Sequence, residues 1–174
     1  MAEIVLARID SRLIHGQVVA KWMKTVNANQ IVVIDDNLAK DPVMSSIYSM
    51  AAPPGCKVSI LSTEKAVAEW KKDGLGPSSN STIILFKDVK TALAAWEAGL
   101  ILDRLQVGGL GGGPSRKAVF KNITLDGRDA EELTVLQNGG VKIFFQTVPE
   151  DTPGDLESAL KALGVNSKIG EVTP

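Results

Sequence analysis

The 174-residue chain is 44% apolar, 22% charged and 5% aromatic, an ordinary globular composition that argues against a disordered chain, a collagen-like repeat or a small disulfide scaffold. Nineteen basic and twenty acidic residues give a net charge of −1, so nothing favours whole-molecule attraction to nucleic acid or to an anionic membrane. The single cysteine, Cys56, has no CxxC motif or histidine beside it, and we expect a partly buried, unreactive thiol.

The chain lacks a recognisable export signal, and its longest aliphatic runs are far shorter than the roughly 20 residues of a membrane span. We therefore expect a cytoplasmic protein with no direct membrane insertion. Any membrane role would go through a partner.

Short apolar runs alternate with amphipathic segments, which is typical of βα units around a mainly parallel sheet. The pattern predicts an α/β fold with an open sheet of about seven strands and helices on both faces. We expect one domain over residues 1–163 and a frayed tail over 164–174. The predicted strands are Ile4–Ile9, Gln30–Asp35, Lys57–Leu61, Thr82–Phe86, Arg104–Val107, Val119–Thr124 and Lys142–Gln146. The predicted helices are Gly16–Thr25, Asp41–Ala51, Thr63–Lys72, Asp88–Ala98, Asp129–Asn138 and one near Pro153–Leu163.

Most enzyme signatures are absent, including the P-loop, HExxH and GxSxG. The glycine run Gly108–Ser115 fails as a dinucleotide fingerprint, because Pro114 occupies the position of the last glycine and a strand follows. One histidine and one cysteine cannot form a conventional zinc site. The pair Asp35-Asp36 is a weak cation candidate whose usual meaning is a polar loop start, so we predict no metal and no cofactor.

The segment DSRLIHGQV, Asp10–Val18, lies between the first predicted strand and the first predicted helix. In an open α/β sheet, ligands bind outside the carboxyl ends of the strands, where this segment would lie. Arg12 supplies a planar charged fork for phosphoryl oxygens, and the amides of Gly16 and Gln17 open a helix. Arg8, on the preceding strand, is expected to add positive charge and to bind the phosphoryl group together with Arg12, Gly16 and Gln17.

His15 is the one side chain of this segment that can be neutral and nucleophilic near neutral pH. A histidine beside an anion cradle suggests a covalent phosphohistidine. Asp10 would orient either Arg12 or the imidazole. A bland interpretation stays open at this point: a lone histidine near a helix start is often a surface or capping residue, and Asp10 and Arg12 can form a weak exposed ion pair.

The string DSRLIHGQV, preceded by IVLARI, closely resembles the active-site signature of the IIB subunits of the mannose/fructose/sorbose family of the bacterial phosphoenolpyruvate-dependent sugar phosphotransferase system. Further blocks resemble the family in the same order over about residues 3–150. They read NQIVVIDD, LQVGGL, ITLDGRDAEEL and GVKIFFQTVP. The glycine-rich sequence after LQVGG departs from the family, which usually has a longer polar segment there. We leave open whether its amides and Arg116-Lys117 form an anion-facing wall or a plain flexible turn.

The resemblance implies an open, mixed, largely parallel α/β sandwich in which His15 is the phosphorylated residue and Arg12 helps to hold the phosphoryl group. It implies a phosphoryl carrier that accepts phosphate from a IIA domain and passes it to a sugar during uptake through membrane IIC and IID partners. The chain would then be peripherally associated with those membrane subunits. The sugar, the phosphorylated ring nitrogen and the existence of a homo-oligomer stay open.

Two other classes compete with the carrier hypothesis. One is a non-catalytic regulatory module that binds a phosphorylated metabolite in the cradle of Arg12 and the helix start. The other, disfavoured by the failed glycine pattern, is a flavodoxin-like nucleotide-binding domain. Covalent phosphorylation separates the carrier from both.

Overall fold

The computed structural model describes residues 1–165, along which strands and helices alternate. The strands are β1 (Glu3–Asp10), β2 (Gln30–Ile34), β3 (Lys57–Leu61), β4 (Ser81–Phe86), β5 (Arg104–Gly109), β6 (Lys117–Phe120), β7 (Ile123–Leu125), β8 (Lys142–Phe145) and β9 (Gly154–Asp155). The helices are α1 (Gly16–Thr25), α2 (Pro42–Met50), α3 (Thr63–Asp73), α4 (Val89–Glu97), α5 (Gly127–Asn138) and α6 (Leu156–Leu163), with a 3₁₀ turn at Leu38–Lys40. The predicted α/β class is confirmed.

Seven strands form the main sheet in the order β3-β2-β4-β1-β5-β8-β9. The first six run parallel, and only β9 is antiparallel to its neighbour β8. The sheet is therefore mixed and largely parallel, as expected. β1 occupies its centre, between β4 and β5, so the carboxyl end of β1 emerges in the middle of one edge of the sheet.

Helices cover both faces of this sheet. α1 and α2 lie over one face, where a cluster of apolar residues from β1, β2 and β4 packs against Val19 and Trp22 of α1. The other four helices cover the opposite face and enclose the larger core, which includes Ala7 and Ile9 of β1. Because side chains alternate along a strand, Leu6, Arg8 and Asp10 point toward α1. The side chains of Arg8 and Asp10 thus lie on the face of the sheet that α1 covers.

The predicted strand Val119–Thr124 is wrong as a single element. The chain reverses at Lys121-Asn122, and β6 and β7 form a separate antiparallel hairpin. Asn122 takes a φ of +60°, a left-handed conformation that asparagine tolerates better than most residues. The seventh strand of the main sheet is instead β9, which pairs with β8. Because Gly154 and Asp155 form this strand, the last helix begins at Leu156 and not at the predicted Pro153. Of the predicted frayed tail, Gly164 is the C-cap of α6, and residues 166–174 lie outside the described part of the chain.

Candidate active site

The loop between β1 and α1 is anchored by its apolar residues. Leu13 and Ile14 are buried in the cluster under α1, and the amide of Leu13 donates to the carbonyl of Asp10 at 2.9 Å. With these two side chains turned inward, Arg12 and His15 turn outward: the side chain of Arg12 is 50% exposed and that of His15 is 20% exposed. The alternation of apolar and polar residues in the loop therefore presents both groups at the sheet edge.

The carboxylate of Asp10 connects the polar groups of the site. Oδ2 accepts hydrogen bonds from Nη2 of Arg8 at 3.0 Å and from Nε2 of His15 at 3.1 Å. Oδ1 accepts from the amide of Arg12 at 3.1 Å and from its Nε at 3.3 Å. Burial alone would raise the pKa of Asp10, but the charge of Arg8 and these hydrogen bonds outweigh burial and lower it. The carboxylate is therefore ionised at neutral pH.

An ionised carboxylate only accepts hydrogen bonds, so Nε2 of His15 must carry the proton in this contact. In a neutral imidazole the other nitrogen, Nδ1, then has a free lone pair. Asp10 thus contacts both groups that the sequence left as alternatives, Arg12 and the imidazole. In that tautomer, Asp10 does not use the lone pair of Nδ1.

Arg8 does not lie where the sequence analysis expected it. Arg8 is only 2% exposed. Its guanidinium donates hydrogen bonds to the side chains of Gln106 and Asp10 and to the carbonyls of Gln146 and Thr147. Burial lowers the pKa of Arg8, and the charge of Asp10 opposes that change. The expected direct contact of Arg8 with a bound phosphoryl group is therefore corrected: the guanidinium lies beneath Asp10 and its hydrogen bonds are directed inward.

The N-terminus of α1 differs from those of the other helices within residues 1–165. The N-cap residue His15 makes no side-chain capping bond, whereas the lack of an acidic residue in the first turn is shared with α2 and α4. Side chains cap the other five α-helices, at Asp41, Ser62, Asp88, Asp126 and Asp155. The amides of Gly16 and Gln17 thus face the sheet edge at the positive end of the helix dipole, which suits an anion.

The glycine segment after β5 forms one wall of the site. A cleft of about 420 Å³ opens beside Arg12, between Gly109–Gly112 and the β6–β7 hairpin. Arg116 does not face this cleft as an anion-binding residue, because its guanidinium binds Asp126 at 3.2 Å and Asp129 at 2.7 Å. It also donates to the carbonyl of Gly111 at 3.2 Å, which ties the segment to the start of α5. This bond restrains the segment at Gly111, and the alternative of a plain flexible turn stays a prediction.

The Asp35-Asp36 pair proves to be structural. Asp35 accepts from the amide of Leu38 at 2.8 Å, and Asp36 accepts from the amide of Thr63 at 2.7 Å. Within residues 1–165 no group of three or more His, Cys, Asp and Glu side chains is arranged to hold a metal ion. Cys56 is half-buried, and burial raises the pKa of its thiol.

Sequence reasoning missed the groups that surround the guanidinium of Arg8 beneath Asp10. They are Gln106 and Gly108 on β5, the backbone after β8, and Trp22 of α1, whose ring lies 5.6 Å from the guanidinium carbon of Arg8. The usable signal was the LQVGG string, since two glycines at the end of a buried strand indicate that another group approaches the backbone closely.

A family model described as the PTS system sorbose subfamily IIB component matches residues 4–168, where PTS denotes the phosphotransferase system. The chain belongs to this family. The sorbose-specific EIIB component of Klebsiella pneumoniae is 36% identical over 149 residues, which cover 86% of this chain and 90% of that protein. The mannose-specific EIIAB component of Escherichia coli (strain K12) is 28% identical over 166 residues, covering 95% of this chain and 49% of that protein.

The solved structures agree with this assignment. The crystal structure of manxB from Thermoanaerobacter tengcongensis superimposes with a TM-score of 0.84 at 36% identity, covering 92% of this chain and 96% of that one. The resemblance in DSRLIHGQV and the later blocks is thereby confirmed at the level of the family and the fold. As a IIB component, the protein belongs to the phosphotransferases of sugar uptake. None of the helices in residues 1–165 has the length and apolar character needed to cross a bilayer.

Proposed function

We propose that this IIB component is a phosphoryl carrier in which His15 accepts a phosphoryl group from a IIA phosphohistidine and passes it to a sugar during uptake. The observation that carries the proposal is the hydrogen bond of 3.1 Å between Nε2 of His15 and Oδ2 of Asp10. In the neutral form of the ring, this bond places the proton on Nε2 and leaves the lone pair of Nδ1 directed away from the carboxylate.

The transfer needs no group beyond these side chains and the two substrates. The lone pair of Nδ1 forms a bond to phosphorus while the bond from phosphorus to the donor's ring nitrogen breaks, and that electron pair stays on the donor imidazole. Positive charge develops on the ring of His15, whose Nε2 keeps its proton. Asp10 balances this charge across the hydrogen bond, as a carboxylate does for the imidazolium of a hydrolase triad.

The phosphoryl oxygens require positive groups above the ring. Arg12 combines an exposed fork with a contact to Asp10, so it can bind phosphoryl oxygens without leaving the site. The amides of Gly16 and Gln17 add fixed dipoles at the start of α1. Positioning and charge stabilisation of this kind supply most of the catalysis in phosphoryl transfer, and no metal or cofactor is required.

The partners follow from this role. A IIA domain donates the phosphoryl group, membrane IIC and IID subunits present the sugar, and the IIB component stays at the membrane through those subunits. The relative from Escherichia coli is named an EIIAB component, which supports a IIA unit as the direct donor.

The test is phosphorylation of the purified protein by phosphoenolpyruvate, the general phosphotransferase proteins and a IIA donor, followed by intact-mass measurement. We expect one added phosphate that is labile in acid and stable in base. His15→Ala should gain none, whereas Cys56→Ser, which removes the single thiol, should behave as wild type. A wild-type protein without added phosphate would instead favour a non-catalytic module that binds phosphorylated metabolites.

A further inference from the structure

Arg8 makes more buried hydrogen bonds than an ordinary ion pair needs. Nη1 donates to Oε1 of Gln106 at 2.5 Å and to the carbonyl of Gln146 at 3.0 Å. Nη2 donates to Oδ2 of Asp10 at 3.0 Å and to the carbonyl of Thr147 at 3.0 Å. One guanidinium therefore joins β1 to β5 and to the chain after β8, at the edge of the sheet that holds His15.

The space around this guanidinium is closely fitted. A Cβ on Gly108 would lie 2.0 Å from the guanidinium carbon of Arg8, so only glycine leaves room for the side chain. On the α1 side, the ring of Trp22 lies 5.6 Å away, and its Nε1 donates to the same Thr147 carbonyl that Arg8 binds. Arg8 is therefore fixed in place from both sides.

Arg8 and His15 bind the same oxygen atom of Asp10, Oδ2. A shift of the guanidinium would therefore move the acceptor that orients the imidazole. Arg12 supports Oδ2 more weakly, because its side chain is half exposed, its Nη2 reaches Oδ2 only at 3.5 Å and its shorter contacts are to Oδ1. Among residues 1–165, the charged or titratable groups that contact Asp10 are Arg8 below it and Arg12 and His15 above it.

We propose that Arg8 is a positioning residue, which holds Oδ2 of Asp10 so that His15 keeps Nε2 protonated and Nδ1 free for the phosphoryl donor. Arg8 touches no reacting atom and acts through Asp10. The inference rests on the proposed function for its kinetic consequence. Its structural part, the control of the ring of His15, does not depend on any partner.

The structural part is tested first by 15N NMR of the imidazole, without donor. His15 is the sole histidine, so its two ring nitrogens need no further assignment. Above about pH 8, where an ordinary imidazole is neutral, wild type should show the Nε2–H tautomer in roughly tenfold or greater excess. A wild-type ring without this excess would overturn the proposal, whatever any variant does.

Three variants then disturb the support. Arg8→Gln removes the charge, Arg8→Lys keeps the charge without the fork, and Gly108→Ala displaces the guanidinium while leaving Arg8 in place. We expect the tautomer excess to fall at least about threefold in every variant that melts cooperatively, with Arg8→Lys closer to wild type than Arg8→Gln. Unchanged tautomer ratios in folded variants would contradict the proposal.

The kinetic part uses transfer from the phosphorylated IIA donor. Because Arg8 is buried, kcat should fall roughly tenfold to a hundredfold in Arg8→Gln while KM for the donor stays within about twofold. The matched controls are Arg104→Lys, whose guanidinium lies over Phe144 at the other end of β5, and Gly127→Ala, where a Cβ meets no atom within 4 Å. Both should match wild type.

The outcomes separate the two proposals. A wild-type protein that accepts no phosphate but shows an Arg8-dependent tautomer would refute the proposed function and retain the positioning role. If wild type is phosphorylated normally but substitutions at Arg8 and Gly108 change neither the tautomer ratio nor kcat, the positioning role of Arg8 is refuted and the proposed function is retained.

Discussion

Gly109 lies directly against the carboxylate of Asp10: a Cβ at this glycine would approach both carboxylate oxygens to 3.0 Å and Nη2 of Arg12 to 3.1 Å. The two residues are partners in the β1–β5 register, and the carbonyl of Gly109 accepts from the amide of Ser11 at 2.9 Å. The pairing of β1 with β5 thus positions the carboxylate of Asp10, and Gly109, the second glycine of LQVGG, leaves space for it.

Gly109→Ala should therefore lower phosphoryl transfer more than it lowers stability. The added methyl group must displace the Asp10 carboxylate or the Arg12 fork by a few tenths of an ångström, which we expect to reduce kcat about tenfold. Quenched-flow transfer from the IIA donor measures the rate, with thermal melting alongside and Gly127→Ala as the control. A wild-type rate in a folded Gly109→Ala protein would show that the site tolerates this displacement.

Charge and shape can be separated at Arg12. Arg12→Lys keeps the charge but loses the two parallel donors, and Arg12→Ala loses both, so transfer should fall in that order. Removal of a preorganised donor from a developing charge typically costs about a hundredfold in rate, and we expect at least this loss for alanine.

Folding should survive these changes, because the half-exposed pair with Asp10 contributes at most about 1 kcal/mol. The measurement is quenched flow on each variant at saturating donor. Should Arg12→Ala transfer at the wild-type rate, the role assigned to Arg12 would pass to the amides at the start of α1.

Acid should destabilise the protein in part through Asp10. Its pKa is lowered in the folded state, since the charge of Arg8 and the hydrogen bonds from Arg12 and His15 outweigh the opposing effect of burial. Between the folded pKa and the unfolded value of about 3.9, the unfolded chain binds more protons. The stabilising contribution is therefore fully present above the unfolded value and is lost as pH falls through the folded pKa.

Melting temperatures between about pH 7 and pH 3 measure this loss. Asp10→Asn should be less stable than wild type at neutral pH and should lose less stability on acidification. Glu131→Gln, at an exposed position on α5, is the control and should follow the wild-type curve. Parallel curves for wild type and Asp10→Asn would contradict the assignment.

Arg116 should stabilise the glycine segment without taking part in transfer. It bridges the carboxylates of Asp126 and Asp129 and the carbonyl of Gly111 in a partly exposed position. Arg116→Ala should cost about 1 to 2 kcal/mol of stability and speed hydrogen exchange at the amides of Gly111–Gly113. Lys117→Ala, at the neighbouring exposed position, is the control. Equal exchange in the two variants would mean that Arg116 does not restrain the segment.

The candidate site on the loop between β1 and α1 was predictable because its residues lie close together in the sequence. Asp10, Arg12, His15 and Gly16 fall within seven consecutive residues, and a strand before them with a helix after them already places them at a ligand-binding edge. The alternation of runs likewise predicted the parallel sheet and most helix bounds. The caps at Asp41 and Asp88 arise from bonds to amides three residues away, which a sequence pattern captures.

The hairpin of β6 and β7 escaped prediction for a local reason. Apolar residues flank the polar pair Lys121-Asn122 on both sides, and Asn122 takes a left-handed conformation in the turn between them. The flanking apolar residues favoured a single strand, whereas the polar Lys121-Asn122 pair between them was the available signal that the chain reverses.

The role of Arg8 was decided only by the tertiary structure. Its partners Gln106, Gln146 and Thr147 lie 98, 138 and 139 residues away, and they meet because β5 and β8 follow β1 in the sheet order. The sequence by itself pointed to the residues that we propose to bind and accept the phosphoryl group, since those lie together on one loop. Whether a charged residue of the strand reaches solvent or is buried depends on which strands and helix surround it, and long-range packing alone determines that.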